Sequence, residues 1–463
     1  MRQGIIAAAS TPPGKGGVAV IRMCGEGAVA LTERVFRPKS GKSLSQYPPR
    51  MQVYGYIVND KETLDDALVT RFDRHSSYTG EETVELSIHG GVLITRTVLE
   101  LLFSNGALPA EPGEFTRLAF LNGRISLTDA EAIGNLLEAK TSEQIRLASS
   151  DSRARLDEKI AEIRASITHL IGSVYARIDY PDEDLGELSD EEILGELMTI
   201  RESLAKLIAT YRTGRAINEG IPTVLCGKPN VGKSTLYNLL LGEDAAIVTD
   251  IPGTTRDLLE RDIPLGRVLL HLTDTAGVRD VENADEVERI GIMRSREKIE
   301  SSELILALFD LSRPMDAEDE EILAALDNVR GAKVCIFTKC DSAISRTDRE
   351  MVAGKFDTVL EISAKNAPEE AIASLESTVN KLFTDEKISA SADAIVASAR
   401  QHASLTRALG FVDSAVEAYR LGIPADAASS DIELALGALG EVDGMAVSDE
   451  VVSNIFSRFC VGK

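Results

Sequence analysis

Residues 221–241 read Ile221-Pro-Thr-Val-Leu-Cys-Gly-Lys-Pro-Asn-Val-Gly-Lys-Ser-Thr-Leu-Tyr-Asn-Leu-Leu-Leu241. The first six residues are short and apolar, as a buried strand should be. The last seven have helical character. Between them, Gly227 to Ser234 fills every position of the GxxxxGK[ST] pattern. Strand, glycine loop and helix in that order make a phosphate cradle. Loop N–H groups point at the phosphates at a helix N-terminus. Lys233 reaches the outer phosphates, and the Ser234 hydroxyl is placed to ligate Mg²⁺. A glycine turn before an ordinary helix would not need all four signature positions.

Motifs farther on narrow the nucleotide. Asp274-Thr-Ala-Gly277 follows the apolar run Val268–Leu272, where an Asp holds Mg²⁺ through water and the Gly277 amide meets the γ-phosphate. Gly253-Thr-Thr-Arg-Asp257 lies between the two, where a Thr hydroxyl can complete the Mg²⁺ shell, so this loop is a candidate order–disorder switch. Thr338-Lys-Cys-Asp341 follows Val334–Phe337, and Ser363-Ala-Lys365 follows Val359–Ile362. The Asp341 carboxylate can accept from two N–H groups of guanine that adenine lacks, which points to GTP. Thr338 stands where GTPases usually carry Asn and can make fewer of the bonds that tie this loop to the phosphate loop. Val278 stands where Ras-like enzymes place a water-orienting Gln. Asn230 could hold a monovalent cation beside the phosphates. Glu288 could orient water, or be a plain carboxylate in a helix N-terminal turn.

The chain has 463 residues, 44% apolar and 27% charged, which is too long for one core and suits two to four domains. No run of about 18 apolar residues indicates a membrane span, and the N-terminus lacks a signal-peptide layout. Five cysteines (24, 226, 335, 340 and 460) without a CxxC pair point to a reducing cytoplasm, not to a disulfide framework or a zinc site. Cys226 reads as core. A net charge of −24 argues against nonspecific nucleic-acid binding. The deficit is uneven, because residues 1–120 carry 13 Lys/Arg and 13 Asp/Glu. A polynucleotide partner would need a local patch or a basic partner protein.

The expected fold is multidomain α+β and α/β. Residues 1–122 mix β-like runs (18–22, 82–88) with Gly/Pro turns and read as an α+β domain. Residues 123–217 read as the first part of a helical domain, broken near 180–186, where seven of residues 181–192 are acidic and suggest a solvated loop. Residues 218–385 alternate strands (221–226, 258–264, 267–273, 303–310, 333–338, 358–362) with helices, giving a mainly parallel sheet. Residues 386–463 read as helical from 390 to 418 and from 431 to 459, completing the helical domain around an inserted Ras-like P-loop domain.

The whole chain resembles the tRNA modification GTPase family called MnmE or TrmE. The resemblance rests on Thr11-Pro-Pro-Gly-Lys-Gly-Gly17, Tyr78-Thr-Gly-Glu81 with His89-Gly-Gly91, Pro112-Gly-Glu-Phe115 and Ala119-Phe-Leu-Asn122. It continues through Gly253–Asp257 and Asp285-Glu-Val-Glu-Arg-Ile-Gly291 to Phe459-Cys-Val-Gly-Lys463. It implies a cytoplasmic, potassium-dependent GTPase whose G domains dimerise across a homodimer on GTP binding. GTP would contact Asn230, Val231, Gly232, Lys233, Ser234 and Thr235, then Thr249, Thr254 and Thr255. Asp274, Thr275, Ala276 and Gly277 would follow, with Lys339, Asp341, Ser363, Ala364 and Lys365 at the base. Potassium would be held by Asn230, Thr249, Ile251 and Thr254, and Mg²⁺ by Ser234 and Thr255. Glu288 matches the family's catalytic glutamate.

The N-terminal domain would bind a 5-formyl- or 5,10-methylene-tetrahydrofolate through Arg22, Glu85, Arg124 and Lys463. A carboxylate suits pterin N–H donors, and cations suit the folate carboxylates. Each of these residues taken singly reads better as a surface ion pair. Cys460 is either a nucleophile near the one-carbon donor or part of a tail that docks in the folate pocket. A partner of the MnmG type, which carries the FAD, would form a heterotetramer or larger complex. Together the two would install an aminomethyl or carboxymethylaminomethyl group on the wobble uridine of certain tRNAs. The rivals are a GTP-controlled assembly switch without one-carbon chemistry and a folate-dependent transferase with a vestigial G domain. Asp341→Asn is expected to abolish the preference for GTP over ATP in competition binding; unchanged discrimination would overturn the guanine assignment.

Overall fold

The computed structural model describes residues 4–60, 62–179, 188–242, 260–274, 299–327, 329–340, 346–356, 358–445 and 447–463. The chain divides into two compact units, 1–137 with 433–463, and 138–432.

The first unit is built on a seven-stranded sheet ordered β3-β4-β5-β6-β2-β1-β7. Its strands are β1 (Ile6–Ala9), β2 (Val18–Cys24), β3 (Phe36–Pro38), β4 (Gln52–Val58), β5 (Thr63–Phe72), β6 (Thr83–His89) and β7 (Leu108–Pro109). All neighbours are antiparallel except β1 and β7. Period-two alternation sends Ile21, Met23, Val84, Leu86 and Val69 to a fully buried face. The helices α1 (Ala28–Val35) and α2 (Val92–Ser104) supply Leu31, Val35, Val98 and Leu102 to the same core. The alternate residues, Arg22 and Glu85 among them, face the other way. Helices α3 (Glu114–Leu121) and α4 (Leu127–Glu138) follow. Leu127 and Ala130 of α4 pack with Val452 and Phe456 of the C-terminal helix Asp449–Ser457.

In the second unit, α5 (Ser142–Leu147), α6 (Ser150–Asp179), α7 (Asp190–Ala209) and α8 (Tyr211–Asn218) precede the α/β part. Ser189 caps α7 by accepting from the Glu192 N–H, with Glu192 closing a capping box. The acidic run read as a solvated loop is therefore in part helical. Asp190, Glu191 and Glu192 form the first turn of α7, where carboxylates favour the helix dipole. Ile193, Leu197, Ile200, Leu204 and Leu207 make the buried stripe of α7. That helix packs on the helix Ala399–Arg420, with Arg201 Nε on Asp413 at 2.5 Å. Helical stretches on both sides of the α/β part thus pack together. Helix formation after the α/β part begins at 399, not at 390 as expected. Ala390 O and Asp393 O instead accept from the Arg155 guanidinium, and Ser398 and Gln401 form the capping box.

The six-stranded sheet runs β13-β12-β11-β8-β10-β9. It comprises β8 (Ile221–Gly227), β9 (Glu260–Leu265), β10 (Val268–Asp274), β11 (Leu304–Asp310), β12 (Ala332–Thr338) and β13 (Thr358–Glu361). All pairs are parallel except β9 with β10. The central strand β11 reads Leu-Ile-Leu-Ala-Leu-Phe and is buried over its whole apolar length, as a parallel strand covered on both faces requires. Helix α9 (Lys233–Leu241) and the helix Pro368–Phe383 lie with the core on one side, and Ala317–Leu326 with that on the other. Leu306 is fully buried at the middle of β11. Leu306→Ala is expected to destabilise the fold by about 3 kcal/mol, read by chemical denaturation; a loss under about 1 kcal/mol would show that the site collapses around the cavity.

Candidate functional site

The phosphate loop leaves β8 at Gly227 and enters α9 at Lys233. Gly227 sits at φ +146°, and a Cβ there would lie 2.7 Å from Leu308 O, so only glycine fits. Asn230 is also left-handed, at φ 61°. The Lys233 side chain, 8% exposed, folds back over the loop. Its ammonium donates to Gly227 O at 2.5 Å and Lys228 O at 2.7 Å. Val231 is fully buried, whereas Asn230, Ser234 and Thr235 are exposed at the loop and the first turn of α9.

Two struts hold this loop, and only the second is legible in the sequence. Lys228, an unspecified position of the motif, is 6% exposed and paired with Asp316 and Asp319, the latter at 3.3 Å. Burial pulls its ammonium toward neutrality, but the two carboxylates outweigh that and raise its pKa. The partners lie some 90 residues downstream, so no local pattern marks the pair. The second strut is the Thr338 hydroxyl, 2.6 Å from Val231 O and 3.3 Å from Phe309 O. A hydroxyl has one proton, and the shorter contact is the bond to the phosphate loop. Thr338 thus makes the link expected of an Asn, but once.

At the base-reading loop, Lys339 is held in a left-handed conformation at φ 56°, with its ammonium 2.5 Å from Asp310 Oδ2. Burial pushes the Asp310 carboxyl up, but bonds from Lys339 and Ser312 prevail and lower its pKa. Asp310 is the second residue that sequence reasoning missed. Ile362 N bonds Phe337 O at 2.9 Å, which carries Ser363, Ala364 and Lys365 to the side of this loop. Asp274 closes β10 opposite Leu225 of β8. Thr249, Ile251, Thr254, Thr255, Thr275, Ala276, Gly277, Val278, Glu288 and Asp341 lie outside the described residues.

In the first unit, β2 and β6 place Arg22 opposite Glu85. The Arg22 Nε and Nη2 atoms reach Glu85 Oε1 at 3.0 and 2.9 Å. The guanidinium also lies 5.7 Å from the Tyr78 ring centre and 5.6 Å from that of Phe115, a cation between two aromatic faces. Phe115 then joins this pair to the C-terminus, because its N–H donates to Lys463 O at 3.1 Å. The Ser10 hydroxyl holds Gly462 O at 3.0 Å, and Val461 bridges to Pro112. Gly462 has φ +97° and passes so close to Ala9 O that a Cβ would collide. Arg124 packs beside Gly80, two residues from Tyr78, and Asn122 ties the same turn through Thr79 O at 2.8 Å. The fold therefore gathers Arg22 and Glu85 directly, with Arg124 and Lys463 on the adjoining walls. The tail packs against Ser10, Pro112 and Phe115, and Cys460 is exposed.

A model of the MnmE helical domain matches residues 127–460, and a model of the GTP-binding protein TrmE N-terminus matches residues 5–124. The chain is 38% identical over 467 residues to a tRNA modification GTPase MnmE of Carboxydothermus hydrogenoformans, covering 100% of both chains. It is 37% identical over 461 residues to one of Thermotoga maritima, covering 99% of each. The chain belongs to the tRNA modification GTPase MnmE family. Among solved structures, an Aquifex aeolicus Era bound to GDP and aluminium fluoride aligns with 41% of this chain and 65% of its own, at 21% identity and a TM-score of 0.27. Among the described residues of this MnmE-family chain, no helix is long and apolar enough to cross a membrane.

The cysteines separate cleanly. Burial pushes the Cys226 and Cys335 thiols up to about 12, so both are protonated and shielded near pH 7. Brief maleimide treatment of the native protein at pH 7, followed by peptide mass spectrometry, is expected to label Cys460 and leave Cys226 and Cys335 unmodified until the chain unfolds. Labelling of Cys226 at the rate of Cys460 would contradict the packing of β8.

Proposed function

We propose that this chain is a potassium-dependent GTP hydrolase whose cycle drives modification of the wobble uridine of certain tRNAs. It acts as a homodimer with an FAD-bearing partner of the MnmG type and a tetrahydrofolate one-carbon donor. The observation that carries this reading is the full-length match to the family. It joins in one chain a built phosphate loop and an Arg22–Glu85 pair beside the docked C-terminus.

The donor sets suit these groups. The Ser234 hydroxyl is exposed at the start of α9, where it and Thr255 would hold Mg²⁺. Asn230 is exposed on the loop, where it, Thr254 and the backbone of Thr249 and Ile251 would hold K⁺. These cations supply fixed positive charge to the phosphates. The chain's own contribution is to orient. Loop N–H groups and Lys233 align the triphosphate, Glu288 directs the attacking water in place of the Gln absent at Val278, and Asp341 selects guanine. In the N-terminal segment, Glu85 would accept from pterin N–H donors, and Arg22, Arg124 and Lys463 would meet the carboxylates. Tetrahydrofolate supplies the one-carbon unit, and Cys460 stands within the docked tail as a nucleophile for it or as an anchor. The segments 1–122, 123–217 with 386–463, and 218–385 are assigned to folate binding, the helical scaffold and GTP hydrolysis.

Hydrolysis is expected to be at least about tenfold faster in KCl than in NaCl, and Glu288→Ala to lower turnover about 10²-fold or more without loss of GTP binding. Equal rates in the two salts with a fully active variant would sink the mechanism. Calorimetric titration with 5-formyltetrahydrofolate should show binding to the wild type that Glu85→Ala weakens about tenfold or more. Absence of wild-type binding would remove the one-carbon role.

A further inference from the structure

Residues 34–59 form the longest acid-free run in the chain, yet they carry five cations, Arg34, Arg37, Lys39, Lys42 and Arg50. The rest of the molecule is strongly acidic, so this concentration stands out against a net charge of −24. The fold gathers it at one edge of the seven-stranded sheet. Strand β3 is the edge strand, Lys39 N bonds Tyr54 O of β4, and Arg50 N bonds Arg71 O of β5 at 2.8 Å. Arg74 joins the group from the turn after β5. All six of these side chains are exposed, and among the described residues none is held in an ion pair. The acidic neighbours are three, of which Asp66 accepts from the Tyr54 hydroxyl at 3.3 Å. Asp73 is taken by Arg71 at 2.6 Å, and Glu33 receives the Ser45 N–H.

The edge is also built to stay in shape. Leu44 is fully buried beneath the loop, and the Ser43–Gln46 capping box closes its one helical turn. The Arg71 guanidinium grips Tyr47 O with two bonds of 2.9 and 2.7 Å. Arg50 is kept at φ 65°, a conformation that favours glycine, with its side chain reaching Ser76 O at 3.3 Å. The Lys39 ammonium lies over the Tyr54 ring, 5.5 Å from its centre, and Tyr54 is 41% exposed, so a cation and an aromatic side chain stand together at the edge. Fixed cations around an exposed aromatic ring suit a phosphodiester backbone with an unstacked base.

We infer that this sheet edge is the surface on which tRNA docks. Choosing tRNA as the polyanion rests on the function proposed above. The test is tRNA binding by the full-length chain as a function of KCl. It compares the wild type with Lys39→Gln/Lys42→Gln/Arg74→Gln and with a control of equal charge change, Lys206→Gln/Lys355→Gln/Lys381→Gln. The edge variant should lose about 2 to 3 from the slope of log K against log salt and bind at least about tenfold more weakly at 0.1 M salt. The control should bind as the wild type does, and GTP hydrolysis and thermal unfolding should be unchanged in all three proteins. A wild-type slope in the edge variant overturns the docking surface while leaving the family reading intact. Equal losses in both variants overturn it in favour of bulk charge. No salt-sensitive tRNA binding by the wild type overturns the tRNA reading itself and the inference with it.

Discussion

The phosphate loop is a backbone bent against its own preference and kept there by neighbours distant in sequence. Gly227, Asn230 and Gly232 all take positive φ within six residues. Glycine accepts this freely, but for Asn230 the left-handed region costs about 1–2 kcal/mol. That conformation persists because the surroundings leave no alternative. Val231 is sealed in the core, Lys228 is pinned to Asp316 and Asp319, and Thr338 holds the Val231 carbonyl. A loop fixed in this way presents its N–H groups without further ordering, and the entropy of shaping the site is met in folding and not at binding. The whole nucleotide chemistry depends on that constraint.

The N-terminal site follows the same logic with different parts. Arg22 is held by a carboxylate on one side and by two aromatic rings across its faces, so its guanidinium has little freedom left to lose. Phe115 is shared between that cation and the C-terminal carbonyl. The last residues of the chain are thus tied by backbone bonds to Pro112, Gly113 and Phe115 and by the Ser10 hydroxyl. A pair that would otherwise read as an ordinary surface ion pair becomes part of a built wall because the tail closes against it.

What could be read from the residues alone was whatever is written locally. The P-loop strand and helix, the strands at 303–310 and 333–338, and the period-two runs at 18–22 and 82–88 are all present within a few residues. The misreadings have two causes, contacts distant in sequence and a local cap outweighed by charge. Residues 390–398 have helical composition, but Arg155, more than 230 positions away, claims the carbonyls of Ala390 and Asp393, and the Ser398 cap starts the helix later. The acidic run at 190–192 reads as loop by its charge alone, although Ser189 and Glu192 spell a capping box, so this start was written locally. Lys228 and Asp310 were invisible as site residues because their partners are set by the sheet order, which brings β8, β11 and β12 side by side. Tertiary contacts across such separations leave no trace in periodicity.

The acidity of the chain conflicts with a nucleic-acid substrate only when distance is left out of account. At physiological ionic strength a charge is screened over about 8 Å, so carboxylates elsewhere on the surface barely oppose a phosphate at the sheet edge. What a polyanion meets is the local sum. Around residues 34–50 and 71–74 the cations Arg34, Arg37, Lys39, Lys42, Arg50, Arg71 and Arg74 face Glu33, Asp73 and, across β4, Asp66, so the local sum stays positive. The long-range field still acts on encounter, where it repels polyanions that approach from any other side. A net negative surface with one positive edge therefore orients a tRNA and limits futile adhesion, which uniform neutrality would not do. In that arrangement the neutral balance of residues 1–120 hides a basic edge strand, and composition alone could report only the average.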